Sequence, residues 1–190
     1  MDTANNIGQL IVRTIFDIAI ILVLLRLLLQ LFRADFYNPL AQSVVRATGF
    51  LNPLRKLLGS RGGLDFATLL ALIALKIAQL ATLMMMAHGN IPGAVFLIAM
   101  SGIALLELLL TFFFWSIIAA VVASWLAPGG QSPATQLLWS LTEPLLGPVR
   151  RLLPALGGLD FSPIIILLAL NILRDYGIPA LAELLQQVLF

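Results

Sequence analysis

Four long apolar segments constrain this sequence more than any other feature. A helix that crosses the hydrocarbon core of a bilayer needs about 20 largely apolar residues. The predicted spans cover residues 7–32, 66–87, 93–126 and 161–185. The chain is 61% hydrophobic and 11% charged, whereas soluble domains are roughly 45–50% apolar and about 25% charged. The sequence therefore predicts an all-α integral membrane protein with four transmembrane helices.

The spans differ in their regularity. The second and third spans are separated by a short turn, His88–Gly93, in which Gly and Pro break the helix. The third span would be about 50 Å long as one helix, which exceeds the ~30 Å hydrocarbon core. Its continuity is left open by the sequence. Arg174, Asp175 and Pro179 interrupt the fourth span and predict a kink or a broken end there.

The two halves of the chain carry the same motifs in the same order. The matching blocks are Asn38-Pro39 with Ser132-Pro133, Thr48 with Thr142, Arg55-Lys56-Leu57-Leu58 with Arg150-Arg151-Leu152-Leu153, and Gly62-Gly63-Leu64-Asp65-Phe66 with Gly157-Gly158-Leu159-Asp160-Phe161. The offset is 94 residues up to Thr142 and 95 residues after it. This duplication predicts a first hairpin repeat over residues 1–90 and a second over 91–190. Because two spans separate equivalent points, the hairpins have the same orientation, as parallel repeats.

Basic residues predict how the chain is oriented. Both long links carry Lys or Arg, whereas the short turn between the second and third spans carries neither. The positive-inside rule then puts the long links in the cytoplasm. Both termini would face the opposite side of the membrane.

Each long link is predicted to contain an amphipathic interfacial helix. The basic pairs Arg55-Lys56 and Arg150-Arg151 lie next to leucines, and such a pattern suits a helix at the headgroup boundary that contacts anionic lipid. Two alternatives remain open, namely charge that only sets topology and a specific lipid or protein site.

The glycine-rich blocks that follow have a structural interpretation. Gly157 and Gly158 permit a sharp turn, and Asp65 and Asp160 can cap the helices that begin after them. An aspartate beside a Gly-Gly turn could also bind a cation, although capping is the preferred interpretation.

Charges inside the spans are functional candidates because they cost several kcal/mol in lipid unless they are paired or hydrated. Asp17, Lys76, Glu107 and Arg174 fall at comparable depths. We expect Asp17 to pair with Lys76 and Glu107 with Arg174, either as structural contacts or as part of an ion or proton pathway. Arg26, near the cytoplasmic end of the first span, is expected to snorkel to the interface.

Composition argues against several functional classes. The chain has no cysteine and a single histidine, His88, which is too few for a thiolate or His-based metal site. No pairing of a nucleophile with a base is evident, and the basic residues form no dense stripe for nucleic acid. We therefore expect neither an enzyme nor a nucleic-acid binder, and no cofactor.

The second repeat resembles the bacterial YggT family. The resemblance rests on Ser132-Pro133, Glu143-Pro144-Leu145, Pro148, Arg150-Arg151-Leu152-Leu153-Pro154 and Gly157-Gly158-Leu159-Asp160-Phe161-Ser162-Pro163. Repeat one departs from it, with Gly59 in place of Pro154 and Ala67-Thr68 in place of Ser162-Pro163. The resemblance implies a multi-pass protein of the bacterial inner membrane, associated with tolerance of osmotic or extracytoplasmic stress. Family members in cyanobacteria and plastids are linked to envelope organisation, division and assembly of a membrane cytochrome, and no catalytic residue is implied.

Two functions fit these features. The first is a scaffold or assembly factor that uses the cytoplasmic links and small-residue helix faces for docking. The second is a small oligomeric channel or transporter for an ion or osmolyte, which would use the intramembrane charges. Expected partners are the lipid bilayer, with anionic lipid as a candidate, and either another membrane protein or further copies of the chain.

Overall fold

The computed structural model describes residues 2–61, 63–126, 132–152 and 160–189, and nearly all of them are helical. The helices are α1 (Asp2–Leu31), α2 (Pro39–Ala47), α3 (Asn52–Leu58), α4 (Phe66–His88), α5 (Ala94–Leu126), α6 (Pro133–Leu152), α7 (Ser162–Ile172) and α8 (Ile178–Leu189). A 3₁₀ turn, Gly49–Leu51, joins α2 to α3, and a π-helical turn, Leu173–Gly177, joins α7 to α8. The strands β1 (Ser60–Arg61) and β2 (Leu64–Asp65) form a small antiparallel ribbon before α4.

Three helical stretches in the described part of the chain are long and apolar enough to cross a membrane. They are Phe66–His88, Ala94–Leu126 and Ser162–Val188. Few of their residues are buried inside the protein, at 11%, 22% and 11% of the most apolar part of each stretch, which is the arrangement that lipid would favour. Helix α1 is also long, but it carries Arg13, Asp17 and Arg26 along its length.

Helix α5 resolves the question left open by the sequence, because it runs unbroken from Ala94 to Leu126. Helix α4 ends at His88, where Gly89 adopts a left-handed conformation with φ of 72° and its N–H binds the Met85 carbonyl. Only glycine takes this conformation without strain. The turn between α4 and α5 therefore lies where Gly and Pro predict it.

The apolar core is concentrated near the long links. The C-terminal half of α1 contributes the largest share, from Ile20 to Leu29, and Phe113 and Ile117 of α5 pack against it. The rings of Phe32 and Phe113 are 6.0 Å apart, between their centroids. By contrast, the N-terminal half of α1 contributes no residue to this core. The two repeats thus meet most tightly at the end of the bundle that carries the links.

The two links differ in spite of their common motifs. In the first link, the separate short helix α3 begins at Asn52 and has Pro53 in its first turn, where the missing N–H of proline costs no helical hydrogen bond. In the second link, which holds one extra residue, α6 continues through Pro144 and Pro148. The ribbon of β1 and β2 was not predicted. Gly157 and Gly158 lie outside the described residues.

The predicted interruption of the last span is a π-helical turn, not a full break. The N–H of Ile178 binds the carbonyl of Leu173, five residues earlier. Pro179 has no N–H, so the ordinary α-helical pattern cannot continue through it. The π-helical turn holds one residue more than an α-helical turn, which accommodates the missing N–H of Pro179, and the helix resumes as α8.

Candidate functional site

An aspartate at the start of α4 fixes the first link to the bundle. Asp65 is 1% exposed, and its carboxylate accepts hydrogen bonds from the N–H of Thr68 (3.3 Å) and the hydroxyl of Thr68 (2.6 Å). Arg55 of α3 forms an ion pair with the same carboxylate. The Nη2 of Arg55 also donates to Gln30 Oε1 of α1 at 2.6 Å. One ion pair therefore ties together α1, α3 and α4.

The second link contains the equivalent ion pair. Arg150 Nε donates to Asp160 Oδ2 at 2.9 Å, and the separation of these partners by ten positions repeats that of Arg55 and Asp65. Arg150 Nη1 also contacts both carboxylate oxygens of Glu143 at 3.0 Å. Asp160 accepts from the N–H of Ser162 at 2.9 Å. The Asp160 side chain is 40% exposed, so this copy of the ion pair lies much closer to solvent.

Both aspartates are held in the ionised state. Burial raises the pKa of Asp65, but the hydrogen bonds from Thr68 and the charge of Arg55 lower it further, so the pKa lies below its ordinary value. The pKa of Asp160 is also lowered, because the bonds from Ser162 and Arg150 outweigh its burial. A carboxylate with a lowered pKa is a poor proton donor at neutral pH. The geometry of these residues is that of structural capping and ion pairing.

The second residue of each basic pair has a different environment. Lys56 and Arg151 are exposed, and neither takes part in an ion pair among the described residues. Each is followed by a leucine that is almost fully exposed, Leu57 at 81% and Leu152 at 84%. Each repeat therefore divides its basic pair into one anchoring arginine and one surface cation next to an exposed leucine.

Arg26 is a buried anchor that sequence reasoning missed. The expectation that it snorkels is wrong, because Arg26 is only 2% exposed. Its Nη1 donates to the carbonyl (2.6 Å) and the hydroxyl (2.8 Å) of Thr48, and its Nη2 donates to Asn52 Oδ1 at 2.7 Å. These acceptors lie where α2 ends and α3 begins. The available sequence signal was an arginine in repeat one where repeat two has Ala120.

The two links also contact each other. Asn38 caps α2 by accepting from the N–H of Leu40, and its side-chain amide donates to the carbonyl of Pro133 at 2.6 Å. Pro133 is the first residue of α6. The links therefore form one connected surface, which we call the link platform (α2, the 3₁₀ turn, α3 and α6).

The expected ion pair of Asp17 with Lys76 is replaced by an indirect connection. Lys76 Nζ donates to Gln79 Oε1 at 2.8 Å, and Gln79 Nε2 donates to Asp17 Oδ1 at 2.6 Å. Arg13 lies 3.8 Å from Asp17 on the same helix. Gln79 is buried, and its amide satisfies both an acid and a base at once. The sequence places this glutamine at the same level, as the counterpart of Arg174, but the expected ion pair did not include it.

Glu107 and Arg174 do not form the expected pair either. Arg174 donates to Asp175 (2.9 Å) and to Asn171 (2.6 Å), and its guanidinium lies 5.2 Å from the centre of the Phe114 ring. Phe114 is seven residues beyond Glu107, or about 10 Å along α5. Glu107 instead lies within electrostatic reach of Lys76. Arg174 thus lies beside Phe114, away from Glu107 along α5.

Among the described residues, no group of three or more His, Asp or Glu side chains is arranged to hold a metal ion. An open pocket of ≈ 390 Å³ lies beside Arg55, Lys56 and Asp65 in the first link. Two of these charged groups, Arg55 and Asp65, are paired with each other.

These features define a class of protein, a helical protein of membrane type built from two repeats, each with an equivalent ion pair in its link. The sequence pattern of the CCB3/YggT family matches residues 5–86 and again residues 99–181. The chain therefore belongs to the CCB3/YggT family, and its two matches confirm the internal duplication predicted from the sequence.

Curated relatives cover almost the whole chain. An uncharacterized protein of Pseudomonas aeruginosa is 43% identical over 182 residues, which are 95% of this chain and 92% of that protein. The uncharacterized protein YggT of Escherichia coli K12 is 35% identical over 183 residues, again 95% of this chain and 92% of the relative. A protein of Vibrio alginolyticus is 34% identical over 168 residues, which are 87% and 90% of the two chains. No solved structure matches the chain.

Proposed function

We propose that this protein is a four-span scaffold of the bacterial inner membrane, whose link platform docks a membrane-protein partner at the cytoplasmic interface. In this arrangement α1 crosses the membrane in addition to α4 and α5, and α7 and α8 together form the last of the four spans. The two hairpins are parallel, and the amphipathic links lie at the cytoplasmic headgroup boundary. The connection with osmotic or extracytoplasmic stress tolerance follows from the resemblance to the YggT family.

The observation that supports this function is the difference between the two residues of each basic pair. Arg55 and Arg150 are occupied by their aspartates, so they hold the platform in one shape. Lys56 and Arg151 remain available at its surface beside exposed leucines. A cation next to an exposed apolar side chain suits contact with an anionic headgroup or with a partner at that level. A rigid surface with repeated contact points is well suited to docking, because little ordering is required on binding.

The test is crosslinking in membranes with charge reversal at the two surface cations. A photoreactive amino acid at Leu57 or Leu152 would capture the partner, which is then identified by mass spectrometry. We expect one dominant adduct that is lost in the Lys56→Glu/Arg151→Glu protein. The scaffold proposal would be overturned if the adduct pattern were unchanged, or if it contained only lipid.

The matched control uses the anchoring arginines. Arg55→Gln and Arg150→Gln should disturb the shape of the link platform and lower the thermal stability of the protein. The surface variants at Lys56 and Arg151 should leave stability unchanged. This contrast separates loss of a partner from loss of the fold.

A second candidate function is a small oligomeric channel or transporter, and the intramembrane polar cluster favours it. Arg13, Asp17, Lys76 and Gln79 are held together at a depth where lipid would otherwise surround them. The test is K⁺ and osmolyte flux into proteoliposomes, with and without osmotic shock. Flux that is lost in folded Lys76→Gln protein would favour transport, whereas absence of flux would leave the scaffold role.

A further inference from the structure

An open pocket lies between the N-terminal half of α1 and the C-terminal half of α4. Its volume is ≈ 440 Å³. Asn6 and His88 lie at its outer rim, near the start of α1 and the end of α4, while Leu10 and Leu83 form its walls. Arg13 lines its inner end. The pocket therefore has a polar rim, apolar sides and a charged floor.

The intramembrane polar cluster lies directly below this floor. Arg13 is 3.8 Å from Asp17, and Asp17 is joined to Lys76 through Gln79. Glu107 is within electrostatic reach of Lys76. Beyond the cluster, Ile20 is fully buried in the core. The pocket is thus continuous with a charged region about halfway along α1 and is closed below it.

Two properties of the cluster indicate water and not lipid as the occupant. The Arg13 side chain is 69% exposed and its ion pair is long, so most of its five N–H donors must find partners outside the chain. A charge surrounded by hydrocarbon costs several kcal/mol unless it is hydrated or paired. Asn6 and Asp17 are eleven residues apart, about 16 Å along a helix. A lipid headgroup at the rim would therefore leave its acyl chains against the charges.

The opposite side of each helix has a different character. Ile11 and Ile15 are exposed on the face of α1 that points away from Arg13, and Met85 is exposed on the face of α4 that points away from Leu83. Because consecutive residues are 100° apart on a helix, residues two positions apart lie on nearly opposite faces. The outer faces offer lipid only apolar side chains at these positions, whereas the pocket face also carries Asn6, Gln9 and Arg13 among its apolar residues.

We propose that this pocket is a blind, water-filled vestibule that opens at the termini side of the membrane and admits small hydrated solutes as far as the cluster of Arg13, Asp17 and Lys76. The outward direction of its opening rests on the orientation given under the proposed function. Its hydration does not depend on that orientation. The vestibule explains how the chain holds these charges at mid-membrane depth while leaving the apolar outer faces to lipid.

The experiment is cysteine accessibility, for which the chain is well suited because it contains no cysteine. Gln9→Cys and Leu83→Cys introduce thiols into the pocket. Ile11→Cys and Met85→Cys place thiols two residues away on the opposite faces. Each protein, in sealed membrane vesicles of both orientations, is treated with a membrane-impermeant maleimide. Asn90→Cys, in the turn between α4 and α5, and Lys56→Cys, in the link platform, report the two sides of the membrane.

We expect the two pocket thiols to react about tenfold faster than their outer-face controls, or more, because apolar surroundings raise a thiol pKa and a rise of one unit reduces the reactive thiolate about tenfold. They should react from the same side as Asn90→Cys. If both pocket thiols were as slow as Ile11→Cys and Met85→Cys, lipid or another helix would fill the pocket and the proposal would be wrong. Fast pocket thiols that reacted from the Lys56→Cys side would place the opening at the link end and overturn the proposal, whereas reaction of Asn90→Cys from the cytoplasmic side would refute only the orientation.

Discussion

Removing the charge of Asp65 should destabilise the protein far more than the same change at Asp160. The substitutions are Asp65→Asn and Asp160→Asn, which preserve side-chain size and the capacity to cap a helix. Both positions follow an arginine by ten residues and precede a membrane helix. The internal duplication thus provides a matched pair of sites that differ mainly in burial.

The expected magnitudes follow from that difference. Asp65 is 1% exposed, so its replacement leaves the Arg55 charge without its partner in a buried site. Breaking a buried ion pair costs about 3–5 kcal/mol. Because a third of the Arg55 side chain is exposed and Gln30 remains as an acceptor, we expect about 2–3 kcal/mol, below that range. Asp160 is 40% exposed, and Arg150 keeps Glu143 as a partner. Ion pairs of this kind contribute about 0.2–1 kcal/mol.

The assay is reversible unfolding of the purified protein in mixed detergent micelles with increasing SDS, followed by far-ultraviolet circular dichroism. The Arg55→Gln/Asp65→Asn double variant should be more stable than Asp65→Asn alone, because it leaves no uncompensated charge. Equal losses at Asp65 and Asp160 would refute the argument, since burial would then not determine the cost. A double variant less stable than either single variant would refute the ion pair itself.

Three further predictions concern two other polar contacts and the effect of pH. Arg26→Lys should cost about 2–4 kcal/mol in the same unfolding assay, because an ammonium group cannot reproduce the forked contacts to Thr48 and its neighbours. Gln79→Leu should cost about 1–3 kcal/mol by leaving buried polar groups unpaired. Its loss in free energy of unfolding should add to the loss caused by Asp160→Asn when the two changes are combined. Finally, stability should fall in acid. The folded-state pKa values of Asp65 and Asp160 are lowered, so their contribution is complete above the ordinary value of about 3.9 and is lost as the pH falls from there towards the folded-state pKa. Unfolding midpoints measured from about pH 5 down to about pH 2, which spans the ordinary carboxyl pKa and the range below it, should decline less in Asp65→Asn protein.

Local sequence predicted the parts of this structure that depend on neighbouring residues in the chain. The turn after His88 follows from Gly89, whose left-handed conformation needs no tertiary support. Capping of α4 by Asp65 was anticipated from its position after Gly-Gly. The recurrence of a basic pair and an aspartate also anticipated that both links use the same residues. The orientation of the chain and its four-span arrangement remain predictions.

Contacts between helices could not be predicted in the same way. Depth along each span correctly grouped Asp17 with Lys76, yet a buried glutamine joins them. Depth counted within each repeat also matched Glu107 with Arg174, although Arg174 lies beside Phe114 and binds Asp175. A side chain can reach only the groups that face it, and helix rotation and relative shift decide which groups those are.

The sequence by itself determined the apolar helices, the duplication and the residues available to anchor each link. Tertiary structure decided which of those residues are buried. Asp65 and Asp160 stand in the same local sequence, but only Asp65 is enclosed by its neighbours. Arg26 is likewise buried because α2 and α3 fold back over α1 and offer it Thr48 and Asn52. Burial depends on what packs against a residue from elsewhere in the chain, and a repeated sequence does not repeat those surroundings.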